Sequence, residues 1–113
     1  MTSRRQRRVS ELLHEEIGLI AHELTDPLLA YVTVTGVEVT PDLRHAHVFV
    51  SDMGGGEDKA VMLQALEGAT GFMRQELASR GVLRFIPELS FHWDDSVSQG
   101  NRVDELLRQI GLG

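Results

Sequence analysis

At 113 residues, 42% hydrophobic and 25% charged, the chain has the size and composition of one globular domain with one core. The absence of cysteine excludes disulfides, thiol nucleophiles and cysteine-ligated metal sites, and no eighteen-residue apolar window reads as a transmembrane helix. The net charge of −6 conceals an asymmetry: four of the 11 basic side chains stand in residues 1–8, which hold none of the 17 acids. This is no uniformly basic nucleic-acid binder, so a polyanion contact would rest on the arginine-rich end and a local stripe.

Arg4, Arg5, Arg7 and Arg8 open the chain, but no apolar core of a secretory signal follows. His14, Glu15 and Glu16 interrupt the sequence too early, and those acids are foreign to transit peptides. A cytoplasmic protein is expected, with residues 1–8 as a disordered or fraying arm that meets a polyanion and residues 9–110 as the folded domain. Val9, Leu12, Leu13, Ile17, Ile20 and Leu24 recur at three- and four-residue spacing, which predicts an amphipathic helix over 9–24. Thr25, Asp26 and Pro27 end it.

Residues 31–39, rich in Val and Thr, predict a strand. Val32 and Val34 share one parity while Val37 and Val39 share the other, so a bulge or sharp twist is expected near Gly36. A Thr-Pro-Asp turn at 40–42 leads into a second strand over 45–51, completing a hairpin. Gly54, Gly55 and Gly56 read as a surface loop. Asp58 then caps a helix whose apolar pattern runs from Val61 to Leu77, with Gly68 and Gly71 in its middle. Two glycines there predict a kink or break that divides it into a helix pair. Pro87 precedes a third strand over 89–93, and residues 101–110 predict a short final helix. The long connection between the second and third strands permits a mixed sheet. The order of elements predicts an α+β domain with its helices on one face of a three-stranded sheet.

Gly68-Ala69-Thr70-Gly71 carries the GxxG spacing by which KH modules bring an RNA backbone close to a helix, although the same spacing serves a simple kink. Arg74, Arg80 and Arg84 follow and could join the N-terminal arginines in a phosphate-binding stripe, the plainer alternative being a solvated face. His45 and His47 share a strand face, with His92 on another strand, but no third ligand or carboxylate group marks them as a metal site. Asp94, Asp95 and Ser96 read as turn and cap residues, since no nucleophile or triad accompanies them. Phe91 and Trp93 read as core or interface aromatics, not as base-stacking platforms.

Several stretches together resemble the ribosome-binding factor A family. They are R-x-x-R-V at 5–9, Asp26-Pro27, V-T-V-T at 32–35 and V-E-V-T-P-D-L-R-H-A-H-V-F-V at 37–50. A-T-G-F-M-R at 69–74, L-R-F-I-P-E-L-S-F-H-W-D-D-S at 83–96 and R-V-D-E-L-L at 102–107 complete the set. The resemblance covers nearly the whole chain. It implies a single KH-like (type II) domain, in which Ala69-Thr70-Gly71 stands where other KH domains have GxxG.

It further implies a non-enzymatic assembly factor without cofactors. Such a factor binds the immature free small ribosomal subunit, supports maturation and 5′-end processing of its 16S rRNA, and aids growth in the cold. Implied partners are that subunit and its rRNA, with ribosomal proteins and a release GTPase, and the expected state is a monomer away from membranes. Leu28 replaces the basic residue many members carry after Asp-Pro, and the C-terminal tail is shorter than in many members. The RNA-contacting residues expected are Arg4, Arg5, Arg7, Arg8, Ala69, Thr70, Gly71, Arg74, Arg80 and Arg84. The competing expectation is a protein-interaction module without RNA contact, using a strand edge or the acidic helix. A hydrolase built on Asp94, Asp95 and His92 is the remotest reading.

Overall fold

Ser3 and Gln6 start the first helix between them. In the computed structural model, which describes residues 2–52 and 58–94, the Ser3 hydroxyl accepts from the Gln6 backbone N–H at 3.1 Å. The Gln6 side-chain oxygen accepts from the Ser3 N–H at 2.9 Å, closing a reciprocal capping box. The Gln6 amide then donates to the Val39 carbonyl at 3.1 Å, tying the helix start to the end of the first strand. Helix α1 therefore spans Arg4–Glu23. It begins five residues before the apolar periodicity does, so the expected fraying arm is instead its first turns. Gln6, Ser10, Leu13, Ile17 and Ile20 face inward, which leaves the four arginines on the solvent side.

A 3₁₀ turn at Pro27–Leu29 leads into β1 (Val32–Val39), which pairs antiparallel with β2 (His45–Asp52). The register slips between Val34 and Gly36, where the parity of the valines changes. The slip lets Val32, Val37 and Val39 all enter the core. It also frees the Thr35 hydroxyl to reach the buried Asp94 carboxylate at 2.6 Å. In the β1–β2 turn, the Asp42 carboxylate accepts from the Thr40 hydroxyl at 2.7 Å and the Arg44 N–H at 3.0 Å. Leu43 takes a left-handed φ of 61° to close it.

Helix α2 runs unbroken over Lys59–Ser79, capped by the Asp58 carboxylate. The expected division into two helices does not occur. Met62, Leu66, Met73 and Leu77 make one buried stripe along the whole length, and tertiary packing of that face outweighs two glycines. The Thr70 hydroxyl bonds to the Glu67 carbonyl within the same stretch, a contact that bends helices without ending them.

The end of α2 is sharply defined. Gly81 adopts a left-handed φ of 67°, with its N–H on the Ala78 carbonyl at 3.1 Å and the Val82 N–H on the Leu77 carbonyl at 3.1 Å. That is a Schellman ending, and it turns the chain towards residues 83–87. Strand β3 (Glu88–Trp93) then pairs parallel to β2, giving a mixed sheet in the order β1-β2-β3. Leu13, Ile17 and Ile20 from α1, the α2 stripe, and Ala46, Val48, Val50, Leu89 and Phe91 from the sheet form the core. Each large aliphatic residue buried there contributes about 1.5–3 kcal/mol. No helix among the described residues is long and apolar enough to cross a membrane. The expected triglycine loop, the 101–110 helix, Asp95 and Ser96 lie outside the described residues.

Candidate nucleic-acid interface

The capping box, the tight β1–β2 turn and the Schellman ending direct three chain segments to one end of the molecule. There the first turns of α1, residues 41–44 and residues 83–86 enclose an open cleft of about 890 Å³. Arg5, Arg44 and Arg84 line it, one from each segment, together with Asp42 and Phe85. None of these arginines is in a salt bridge with a described carboxylate. Asp42 is the opposing charge. Its bonds to Thr40 and Arg44 hold its pKa below the usual carboxylate range, so it stays ionised and the cleft keeps a positive excess. Phe85 is 81% exposed, more than any other large apolar side chain described. Val9, Leu43, Leu83 and Ile86 line the same cleft but pack against the core.

The expected site residues divide into groups. Arg4, Arg7 and Arg8 are exposed on α1 alongside Arg5. Arg84 faces Arg5 across the cleft. Arg74 is exposed but acts as a strut: its Nε donates to the Pro87 carbonyl and its Nη2 to the Ile86 carbonyl, both at 3.1 Å. It fixes the segment that carries Arg84 and Phe85. Arg80 is clamped by Glu23 at 2.7 Å and Glu76 at 3.1 Å, and the Glu23 carboxylate first, then Glu76, raises its already high pKa.

Ala69 lies between Leu66 and Met73 and packs half-buried against the core, Thr70 is half-buried beside it, and Gly71 is exposed. A β-carbon at Gly68 or Gly71 would meet nothing within 4 Å, so no internal contact requires glycine at either position. Arg44 and Phe85 were not singled out by sequence reasoning. The Arg84-Phe85 dipeptide, a cation beside an aromatic between Gly81 and Pro87, is the signal that could have found them.

His45, His47 and His92 occupy the sheet face opposite the helices. His47 Nδ1 and His92 Nε2 share a hydrogen bond at 2.9 Å, His45 Nε2 lies 2.6 Å from the Ser90 hydroxyl, and Phe49 is buried beside them. Burial, followed by the nearby charges of His45 and His92, pushes the His47 pKa down to about 4. Burial and His45 lower that of His92, with Glu67 opposing. No group of three or more His, Asp or Glu side chains among the described residues is arranged to hold a metal ion. Asp94 is buried against Thr35 and its N–H donates to the Val50 carbonyl at 2.8 Å, which are structural contacts. Phe91 is in the core and Trp93 packs against it, with the Lys59 ammonium 5.6 Å from the Trp93 ring centre.

Comparison with known proteins agrees with this architecture. The sequence profile of the family described as ribosome-binding factor A matches residues 5–107. Ribosome-binding factor A of Thermomicrobium roseum is 50% identical over 111 residues, covering 97% of this chain and 86% of that protein. The crystal structure of ribosome-binding factor A from Thermus thermophilus superposes with a TM-score of 0.69 at 25% identity, over 77% of this chain and 93% of the other. The Thermus thermophilus protein as fitted into the cryo-EM map of a 30S–RbfA complex gives 0.57 at 27% identity, over 74% and 93% of the two chains.

Proposed function

This chain belongs to the ribosome-binding factor A family, and we propose that it is an assembly factor that binds the free small ribosomal subunit. The observation that carries this reading is the near-full-length family match, reinforced by a structural relative placed in a 30S complex. In this reading the protein acts without catalysis in the cytoplasm as a monomer. It supports late maturation and 5′-end processing of 16S rRNA, helps growth in the cold, and meets ribosomal proteins and a release GTPase on the particle.

The phosphate contacts fall first to Arg5 and Arg84 with Arg44 added, then to Arg4, Arg7 and Arg8 on the exposed side of α1. Arg74 lends charge while its guanidinium also holds the Ile86 and Pro87 carbonyls, whereas Arg80, paired with Glu23 and Glu76, adds little. In Ala69-Thr70-Gly71 the exposed Gly71 offers a point without bulk, flanked by the small half-buried Ala69 and Thr70, to which an RNA backbone can come close. The surplus of acids elsewhere disfavours loose RNA binding and favours docking on a folded particle, where shape restricts which surface meets phosphate.

Sedimentation with purified small subunits, large subunits and whole ribosomes across a salt series tests this. Selective binding to small subunits is expected, with a log–log salt slope of about 0.7–0.9 per phosphate contact. Equal binding to all particles, or binding that survives nuclease digestion of the rRNA, would replace it with the protein-interaction module.

A further inference from the structure

We propose that the cleft between α1 and residues 83–86 takes an unpaired nucleotide, its base stacked on Phe85 and the flanking phosphates on Arg5, Arg44 and Arg84. The inference deepens the assembly-factor reading and rests on it for the source of the RNA. It specifies single-stranded RNA as the ligand of this surface.

Phe85 leaves 81% of its surface in water while its neighbours Leu83 and Ile86 pack against the core. The ring is therefore held out from the domain by residues anchored on either side. Arg74 holds the carbonyls of Ile86 and Pro87, which restrains the segment. An aromatic face presented in this way offers a base a sequence-tolerant stacking platform.

Three guanidiniums on three separate segments border the same opening; none is in a salt bridge with a described carboxylate, and Asp42, beside Arg44, is the one acid in the lining. Cations around an aromatic platform match the alternation of base and phosphate along one strand. A duplex does not offer this, because its bases already stack on one another and present only their edges. The cleft volume, about 890 Å³, falls within the range of sites that enclose a small ligand.

A protein anchor fits this surface less well. Peptide pockets are apolar around their hot spot, whereas here Arg5, Arg44 and Arg84 border the cleft's one strongly exposed aromatic, and Val9, Leu43, Leu83 and Ile86 form a half-buried wall beneath it.

The test compares the full chain with its Phe85→Ala and Phe85→Trp variants, using Tyr31→Ala as an exposed-aromatic control. The probes are a fluorescent oligouridine, an RNA duplex with the same number of phosphates, and a polyglutamate peptide. Phe85→Ala is expected to weaken oligouridine binding roughly 5- to 150-fold. Phe85→Trp should retain that binding, while Tyr31→Ala and the affinity of every variant for the duplex should move less than about twofold. Folding is not at stake at so exposed a side chain, and thermal melting checks it.

A wild-type protein that shows no preference for oligouridine, or a Phe85→Ala protein within twofold of wild type, overturns the nucleotide cleft. So does equal loss on single strand and duplex, or a loss confined to the polyglutamate peptide, which would transfer the surface to a protein partner. Co-sedimentation of the wild-type chain with small subunits is read separately. If it persists while Phe85→Ala changes nothing, only the cleft is wrong; if it fails while the stacking effect stands, only the ribosomal reading is wrong.

Discussion

Arg80 and Arg84 are four residues apart and have opposite fates. Arg80 sits where the C-terminal ends of α1 and α2 meet, and two carboxylates consume its charge. Arg84, beyond the Schellman ending, faces a cleft with Arg5 and Arg44. One end of the molecule has spent its cations on cohesion, and the other has left them for a partner. Counting arginines along the chain cannot separate these roles, because Glu23 lies 57 positions from Arg80. The fold decides which arginines remain available.

The contrast can be broken most directly at the cleft. Changing Arg5, Arg44 and Arg84 together to Gln should lower the log–log salt slope of small-subunit binding by about 2–3 and weaken binding roughly 10- to 100-fold. Co-sedimentation measures both, and an unchanged slope would erase the distinction between the two ends. Gly81→Ala comes next. Its left-handed φ should cost about 1–2 kcal/mol in denaturant unfolding, and the displaced residues 83–86 should also weaken binding. A loss of stability without any loss of binding would show that the turn does not set the cleft.

Gln6→Ala should cost about 1 kcal/mol by the same measurement, since the side-chain half of the cap and the bond to Val39 both disappear. Circular dichroism should show helix lost from the first turns of α1; full helicity there would leave the arginines held by something else. Arg80→Gln should leave small-subunit affinity within about twofold of wild type, in contrast to the cleft variants.

The last effect is absent at pH 7. His47 takes its proton near pH 4 in the folded protein but near its ordinary 6.5 when unfolded, and His92 shifts in the same direction. Between those values the unfolded chain binds more protons, so stability should fall as pH drops from about 6.5 to 4. A paired His47→Gln and His92→Gln variant should flatten that decline in urea titrations. A decline of the same steepness in the variant would place its origin in other groups.

Much of this fold is legible in the amino-acid order. The bulge at Gly36 follows from two pairs of valines on opposite parities, and the length of the crossover permits the mixed sheet that the parallel third strand makes. The start of α1 is hidden, because residues 4–8 contain nothing apolar to reveal a period. Ser3-x-x-Gln6 marks it instead through hydrogen bonding. The continuity of α2 is hidden for the converse reason: glycines weaken a helix locally, while the stripe from Met62 to Leu77 acts over its whole length. At the candidate site, Arg5 and Arg84 stand out as cations in sequence. Arg44 and Phe85 do not, because isolated residues acquire a shared role only when a turn and a helix ending bring them together.

The continuation of α1 through its arginines also bears on how an encounter proceeds. A flexible basic tail must be ordered at the moment of contact, at a cost of about 1–2 kcal/mol per residue in backbone entropy. In Arg4–Glu23 that entropy has already been lost on folding. The charges are fixed along a rod with a rise of about 1.5 Å per residue, so they dock as a rigid comb and do not wrap. Calorimetry should then record a small heat-capacity change on association, without the large negative value of a segment that folds as it binds.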